Sequence, residues 1–125
     1  MNFIHTNDAP TPGGHYTQAL QANGFTFVSG MLPGPCLESD GPDNFERQVR
    51  ATLNHCESVL KAAGCESTDV VQCTAYVVGI EHWSQFNRIY AEFFGEHKPA
   101  RAVVPVPELH HGFLVELQMV ACSRP

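Results

Sequence analysis

Residues 113–121 read FLVELQMVA, and their polarity alternates with a period of two. Every odd-numbered position in this stretch is apolar, whereas the even-numbered positions include Glu116 and Gln118. Because successive side chains of a strand point to opposite faces, the pattern predicts a β-strand with one face in a core and a partly polar second face. Glu116 then points to solvent beside Gln118, or it is buried and needs water, a cation or a cleft.

Further strands and helices are predicted from the sequence upstream. β-forming runs closed by glycine or proline predict three strands, at residues 25–29, 70–78 and 102–106. Pro105 lacks a backbone donor, which predicts an edge strand or a bulge there. Apolar residues at spacings of three and four predict a helix over 43–64, in which Asp43 can cap the start and Gly64 the end. A second helix is predicted over 81–96, with an aromatic stripe facing the sheet: Trp83, Phe86, Tyr90, Phe93 and Phe94.

The order of these elements predicts the fold class. A strand, a helix, a strand, a helix and two strands fit a single α+β domain over residues 1–125, with a mixed sheet. Two helices cannot cover both faces of such a sheet, so we expect them packed together on one face. The other face also needs a cover, and in a domain this small we expect an identical subunit to provide it.

Composition excludes several classes of partner. Seven lysines and arginines stand against thirteen aspartates and glutamates, and the net charge of −6 disfavours a nucleic-acid partner. No stretch predicts a membrane span or a secretory leader, so we expect a cytoplasmic protein. Five cysteines without a CxxC pair predict free thiols. His110 and His111 are neighbours that should point apart, with no third ligand spaced to join them, and we expect no metal site.

Several polar side chains are candidates for ligand binding. Arg101 follows Pro99 and precedes an apolar strand, where its guanidinium would clamp a carboxylate ligand or make a weak surface ion pair. Tyr16 follows a Gly-Gly-His turn and would either offer its hydroxyl to a ligand or pack at a sheet edge. Asn87 and Tyr90, three residues apart, share a helix face, although Tyr90 also fits the core stripe.

Five motifs in order and spacing carry a resemblance to a known family. They are Gly-Gly-His-Tyr16, the FVSGMLP stretch with Ser29 and Gly30, the NRIYAEFF stretch that begins at Asn87, Pro-Ala-Arg101, and the VELQMVA stretch with Glu116. On these motifs the chain resembles the RidA/YjgF family of small enamine and imine deaminases over nearly its whole length.

The resemblance implies a fold, an assembly and a reaction. The fold would be a chorismate-mutase-like α+β domain that forms a homotrimer, with the sheets turned inward as a barrel and ligand clefts between subunits. The reaction would be the hydrolysis of 2-oxo-acid imines such as 2-iminobutanoate, without a cofactor, and the partner a small carboxylate-bearing substrate.

The resemblance also implies roles for individual residues. Arg101 would bind the substrate carboxylate and Glu116 would orient the attacking water. Tyr16 would line the cleft, and the backbone of Gly30 would donate to the ligand. The remaining substrate-binding positions would be Ser29, Asn87 and Val103.

Two departures from the family pattern concern the substrate. Ala102 and Val103 stand where deaminase members often have Ser-Cys or Thr-Thr, which makes that wall more apolar, and the segment 104–112, VPVPELHHG, is also unusual. A larger or unsaturated acid thereby becomes a candidate, such as the ring-cleavage product 2-aminomuconate. A non-catalytic regulatory protein that binds 2-oxo acids is the alternative from another functional class.

Overall fold

The computed structural model describes residues 1–34 and 44–123, which form one sheet and two α-helices. The elements in chain order are β1 (Asn2–Ile4), β2 (Ala19–Ala22), β3 (Phe25–Met31), α1 (Asn44–Ala62), β4 (Val70–Val78), α2 (Trp83–Phe94), β5 (Ala100–Val106) and β6 (Val115–Cys122). Short 3₁₀ turns lie at Ser67–Asp69, Ile80–His82 and His110–Gly112. The predicted cap at Asp43 and the predicted thiol of Cys36 lie outside the described residues.

The six strands form a single mixed sheet in the order β1-β2-β3-β6-β4-β5. β4 and β5 pair in parallel, and every other neighbouring pair is antiparallel. β5 is an edge strand, so the prediction from Pro105 is confirmed. β1 and β2 are not among the strands predicted from the sequence. Asn23 and Gly24, with φ of 52° and 81°, link β2 to β3 in a two-residue hairpin. An Asn-Gly pair favours such a hairpin, so this pair is the sequence feature that could have predicted β2.

Both helices pack on the same face of the sheet, as predicted. Four residues of β6 (Val115, Leu117, Met119 and Ala121) are completely buried beneath them, which confirms the alternation of this strand. Gln48 of α1 is also buried, and its Oε1 accepts a hydrogen bond from the backbone N–H of Leu114 at 2.8 Å. That contact fixes the start of β6 against α1, and with it the position of Glu116 further along the strand.

The ends of α1 and the contact between the helices follow from local chemistry. Gly64 has φ of 79°, and the N–H groups of Gly64 and Cys65 donate to the carbonyls of Lys61 and Leu60, so the predicted glycine cap is confirmed.

Four charged side chains at the surface link the two helices in a closed ring of salt bridges: Glu46, Arg50, Arg88 and Glu92. Exposed pairs of this kind contribute little to stability. In the described part of the chain no helix is both long enough and apolar enough to span a membrane.

One position of the predicted aromatic stripe is wrong. Trp83 is 46% exposed, because residues 80–82 form a 3₁₀ turn and Trp83 is only the first residue of α2. Its side chain lies beside Val103 and Pro105 at the edge of the sheet instead of in the core. Phe86, Tyr90 and Phe94 are buried as predicted.

The face of the sheet away from the helices carries a row of apolar side chains. Phe3, Leu20, Phe27 and Val120 occupy paired positions on four adjacent strands. Phe3 is 76% exposed and Phe27 is 46% exposed, so the described residues do not cover this row. An exposed apolar surface of this kind is typical of a protein interface, although the predicted homotrimer stays a prediction.

Candidate active site

Arg101 lies on the edge strand β5 and is held by two residues of α2. It pairs in register with the buried Cys73 of β4, so its side chain is on the helix face of the sheet. Nη1 donates a hydrogen bond to Oδ1 of Asn87 at 2.9 Å, and Cζ lies 4.9 Å from the centre of the Tyr90 ring. A guanidinium has five N–H donors in a rigid plane. These two contacts therefore orient the group while leaving donors for a bidentate carboxylate ligand.

Tyr90 is itself fixed in the aromatic core, which confirms the prediction that it belongs there. Its ring lies 5.5 Å from that of Phe86 and 4.7 Å from that of Phe94. Asn87 and Tyr90 are three residues apart on α2, so both reach the same strand. The position of Arg101 is thus determined by the docking of α2 on β5.

Cys73 pairs with Arg101 in the sheet, and its burial disfavours the thiolate form. Burial raises the pKa of the Cys73 thiol to about 12, and the nearby Tyr90 hydroxyl and Arg101 charge offset only part of that rise. Burial also raises the pKa of Cys56, with a further contribution from the neighbouring Cys73. The described cysteines (Cys56, Cys65, Cys73 and Cys122) are free thiols, as predicted. Chemistry near Arg101 therefore has to use groups other than a thiolate.

Glu116 occupies a recess on the opposite, open face of the sheet. It pairs with Tyr76 of β4 and is half-buried. Tyr16, Ser29 and Gly30 line the same recess, which has a volume of about 390 Å³. The register between β3 and β6 shifts between Val28 and Met31, so Gly30 lies at an irregularity in the sheet, a common device for shaping sites.

The environment of Glu116 favours its neutral form. Burial raises the pKa of the Glu116 carboxyl, and the nearby His110 lowers it by a smaller amount. A carboxyl with a raised pKa holds a proton more readily than an exposed one, and such shifted groups are common at functional sites.

The hydroxyl groups of Tyr16 and Ser29 differ in whether they already donate a hydrogen bond within the protein. Ser29 Oγ donates to the carbonyl of Thr17 at 2.6 Å, so its proton is used within the protein. Tyr16 is 53% exposed, and its oxygen accepts a long hydrogen bond of 3.4 Å from the N–H of Gly13. The Tyr16 hydroxyl proton remains available to a ligand in the recess.

The predicted site residues thus fall into two groups on opposite faces of the sheet. We call them the arginine half-site (Asn87, Tyr90, Arg101 and Val103) and the acid half-site (Tyr16, Ser29, Gly30 and Glu116). Arg101 pairs with Cys73 and Glu116 with Tyr76, and residues 73 and 76 of one strand point to opposite faces. A single chain therefore does not bring the side chains of Arg101 and Glu116 to the same side of the sheet.

Two further features of the site were not assigned from the sequence. Val103 lines an apolar recess of about 160 Å³ with Val77, Ile80 and Trp83, on the same face of β5 as Arg101. His110 and His111 line the acid half-site recess, next to Glu116. The sequence signals for the histidines were their adjacency, which was weighed only for metal binding, and the unusual segment 104–112. Within the described residues, no group of three or more side chains is arranged to hold a metal ion.

Comparison with known proteins gives consistent matches over nearly the whole chain. The model of the family described as Endoribonuclease L-PSP matches residues 6–123. A RutC family protein of Pyrococcus horikoshii is 37% identical over 123 residues, covering 94% of each chain. The crystal structure of YyfA, a Rid-family protein of Yersinia pestis, is 35% identical with a TM-score of 0.88, covering 97% of this chain and 98% of that one. The structure of Escherichia coli TdcF with bound serine is 26% identical with a TM-score of 0.89, covering 99% and 100%. All eight residues of the two half-sites lie inside the matched range.

Proposed function

The chain belongs to the Endoribonuclease L-PSP family, with RutC and Rid proteins among its relatives, and we propose that it is a deaminase that hydrolyses imines and enamines of 2-oxo acids. The observation that carries the proposal is the guanidinium of Arg101, exposed and yet oriented by Asn87 and Tyr90. Such a group recognises a carboxylate in a fixed plane. The serine bound to TdcF also carries a carboxylate, which supports a small carboxylate ligand for this fold.

The reaction needs little beyond orientation and proton transfer. The carbon of an imine is already electrophilic, so water can attack it without an enzymic nucleophile or a cofactor. Arg101 binds the substrate carboxylate, and Glu116 orients the water and takes its proton. The Tyr16 hydroxyl and the backbone of Gly30 fix the plane of the substrate.

A second subunit is required to complete this site. Because the two half-sites lie on opposite faces of one sheet, the arginine half-site of one subunit has to meet the acid half-site of its neighbour. The exposed row of Phe3 and Phe27 lies on the same face as Glu116 and supplies an apolar surface for that contact. A cyclic homotrimer with three equivalent clefts satisfies both requirements.

The family description also names a ribonuclease activity, which this chain supports less well. The net charge of −6 repels a phosphate backbone, and the site offers one arginine where RNA binding needs a basic surface. A small acid needs only the one local cation, so the deaminase proposal fits the charge of the chain better.

A longer, unsaturated enamine acid such as 2-aminomuconate is the second candidate substrate. The apolar recess beside Val103 lies on the same strand face as Arg101 and leaves room for a chain that extends past the bound carboxylate. Faster turnover of 2-aminomuconate than of 2-iminobutanoate would favour this candidate.

The test couples an amino-acid oxidase, which releases the imine, to a semicarbazide trap. The protein should suppress formation of the semicarbazone, and Arg101→Ala should lose this effect because loss of a charge-assisted contact removes about 2 to 3 kcal/mol. Arg101→Lys is the matched control, since it keeps the charge without the planar donors, and it should retain only part of the activity.

Equal activity in wild type and Arg101→Ala would contradict the role of Arg101. Tight binding of a 2-oxo acid by a protein that never suppresses trapping would favour the regulatory alternative instead.

A further inference from the structure

The turn between β5 and β6 brings two imidazoles to the recess that holds Glu116. His110–Gly112 forms a 3₁₀ turn, and both His110 and His111 line the recess. Other histidines of this chain have structural roles: the rings of His55, His82 and His97 each bond a backbone carbonyl, at 2.9, 2.8 and 2.7 Å. Among the described residues, neither His110 nor His111 has such a partner for its ring.

The two histidines of the turn differ in their surroundings. His111 has a left-handed backbone, with φ of 61° and ψ of 17°, and its ring meets the ring of the buried Phe113 edge to face at 5.9 Å. His111 therefore shapes the turn and is held by the core. His110 is exposed to the recess, and its charge acts directly on the Glu116 carboxyl.

The chemistry of imine hydrolysis gives a role to a second ionisable group at this place. Addition of water needs an acceptor for the water proton and a donor for the nitrogen, and collapse of the carbinolamine needs a donor and an acceptor again. A single carboxyl group can act as proton donor or as proton acceptor in a given step, but not as both. An imidazole in the same recess supplies the other, because its ring nitrogens can both donate and accept a proton.

We propose that His110 and Glu116 form an acid and base pair, in which His110 gives a proton to the imine nitrogen while Glu116 takes one from the attacking water. This inference rests on the proposed deaminase function and adds a catalytic residue to it. The His110 ring lies 6.3 Å from the His111 ring, centre to centre, and among the described residues no hydrogen bond holds its nitrogens. The volume of about 390 Å³ admits both a small substrate and a water molecule.

The proton transfers balance over one cycle. The water oxygen bonds to the imine carbon as one water proton passes to the Glu116 carboxylate, and the His110 imidazolium protonates the nitrogen to give a neutral carbinolamine. The carboxyl proton then moves to the nitrogen, and the C–N bond breaks with its electron pair remaining on the nitrogen. As the C=O bond forms, the hydroxyl proton passes to the His110 imidazole. The products are the 2-oxo acid and ammonia, and both side chains return to their starting forms.

The pairing predicts a specific pH dependence. The titratable groups around Glu116 are Tyr16, His110 and His111 in the recess and Tyr76 at the paired position of β4. Glu116 has to be ionised and His110 protonated, so the rate should fall at both low and high pH. A protonated His110 lowers the pKa of Glu116, and removing it should shift the acidic limb of the profile to higher pH.

The experiment compares His110→Asn with the matched control His111→Asn in the assembled protein. Asparagine tolerates the left-handed backbone at position 111, so the control should fold. His110→Asn should lower kcat on the order of 100-fold with little change in KM, and it should remove the alkaline limb of the pH profile. His111→Asn should keep that limb.

A second measurement follows the Glu116 carboxyl by ¹³C NMR pH titration and needs no substrate. The pKa of Glu116 should rise in His110→Asn and stay in place in His111→Asn. An unchanged carboxyl pKa together with an unchanged pH profile in His110→Asn would overturn the pairing even if the wild type is an active deaminase. If the wild type shows no turnover, the proposed function fails by itself, and an unchanged carboxyl pKa would then also refute the pairing.

Discussion

The Glu116 carboxyl lies directly against Gly30, so closely that a β-carbon at position 30 would overlap one carboxyl oxygen and stand 3.2 Å from Cδ. Gly30 is not among the residues with positive φ, so its backbone does not demand glycine. The missing side chain instead makes the space in which the carboxyl sits. The acid half-site therefore depends on the absence of one methyl group in β3.

Gly30→Ala tests this dependence. The added methyl should displace the flexible Glu116 side chain and lower kcat by on the order of 10- to 100-fold, because a small displacement of a catalytic group costs that much. The free energy of unfolding should change by less than about 1 kcal/mol, since the strand backbone suits alanine. Full activity in Gly30→Ala would show that the carboxyl works from elsewhere.

Asn87→Ala tests whether Asn87 positions Arg101. The change removes the 2.9 Å hydrogen bond to Nη1, worth about 1 kcal/mol, and should raise KM roughly 5-fold while kcat changes less. Ser84→Ala, on an exposed position of the same helix, serves as the control. Steady-state kinetics with varied imine concentration measure the effect. A KM that stays at the wild-type value would mean that Tyr90 alone orients the guanidinium.

Glu116→Gln should stabilise the protein at neutral pH and should abolish turnover. Burial raises the pKa of Glu116, so the folded state holds its proton more tightly than the unfolded chain does. The favourable contribution of the protonated carboxyl is fully present below the unfolded pKa and is lost as the pH rises through the folded value. Urea unfolding should therefore show nearly equal stability of both proteins near pH 4, and an advantage for Glu116→Gln that grows towards pH 8. A disadvantage at pH 8 would mean that the ionised carboxylate is stabilised by the fold.

Much of the fold could be predicted from the sequence, because local sequence patterns determine where its helices and strands lie. The alternation around Glu116 placed the buried face of β6 correctly, and Gly64 marked the end of α1. The position of Trp83 was misjudged because a helical period does not show where a 3₁₀ turn gives way to an α-helix. The Asn23-Gly24 pair indicates the hairpin between β2 and β3, which was not predicted.

The candidate site could be predicted only in part: its residues were identified, but their placement on the two faces of the sheet was not. The residue types of Arg101 and Glu116 indicated their chemistry, but the face that each occupies depends on strand pairing. β4 pairs in parallel with β5 and antiparallel with β6, so Cys73 marks the face of Arg101 and Tyr76 the face of Glu116. Such long-range register is not encoded in the spacing of either motif. The same holds for His110, which lines this recess together with Ser29 and Gly30 although it is far from both in the sequence.

Subunit complementation tests the central claim most directly, namely that the two half-sites of one cleft come from different chains. Arg101→Ala and Glu116→Gln should each be inactive alone. In the proposed homotrimer, mixed assemblies produced by co-expression and isolated through two different affinity tags should contain one cleft with an intact arginine half-site facing an intact acid half-site. They should therefore recover about one-third of the wild-type turnover. Mixed trimers that assemble but remain as inactive as the single variants would contradict the claim.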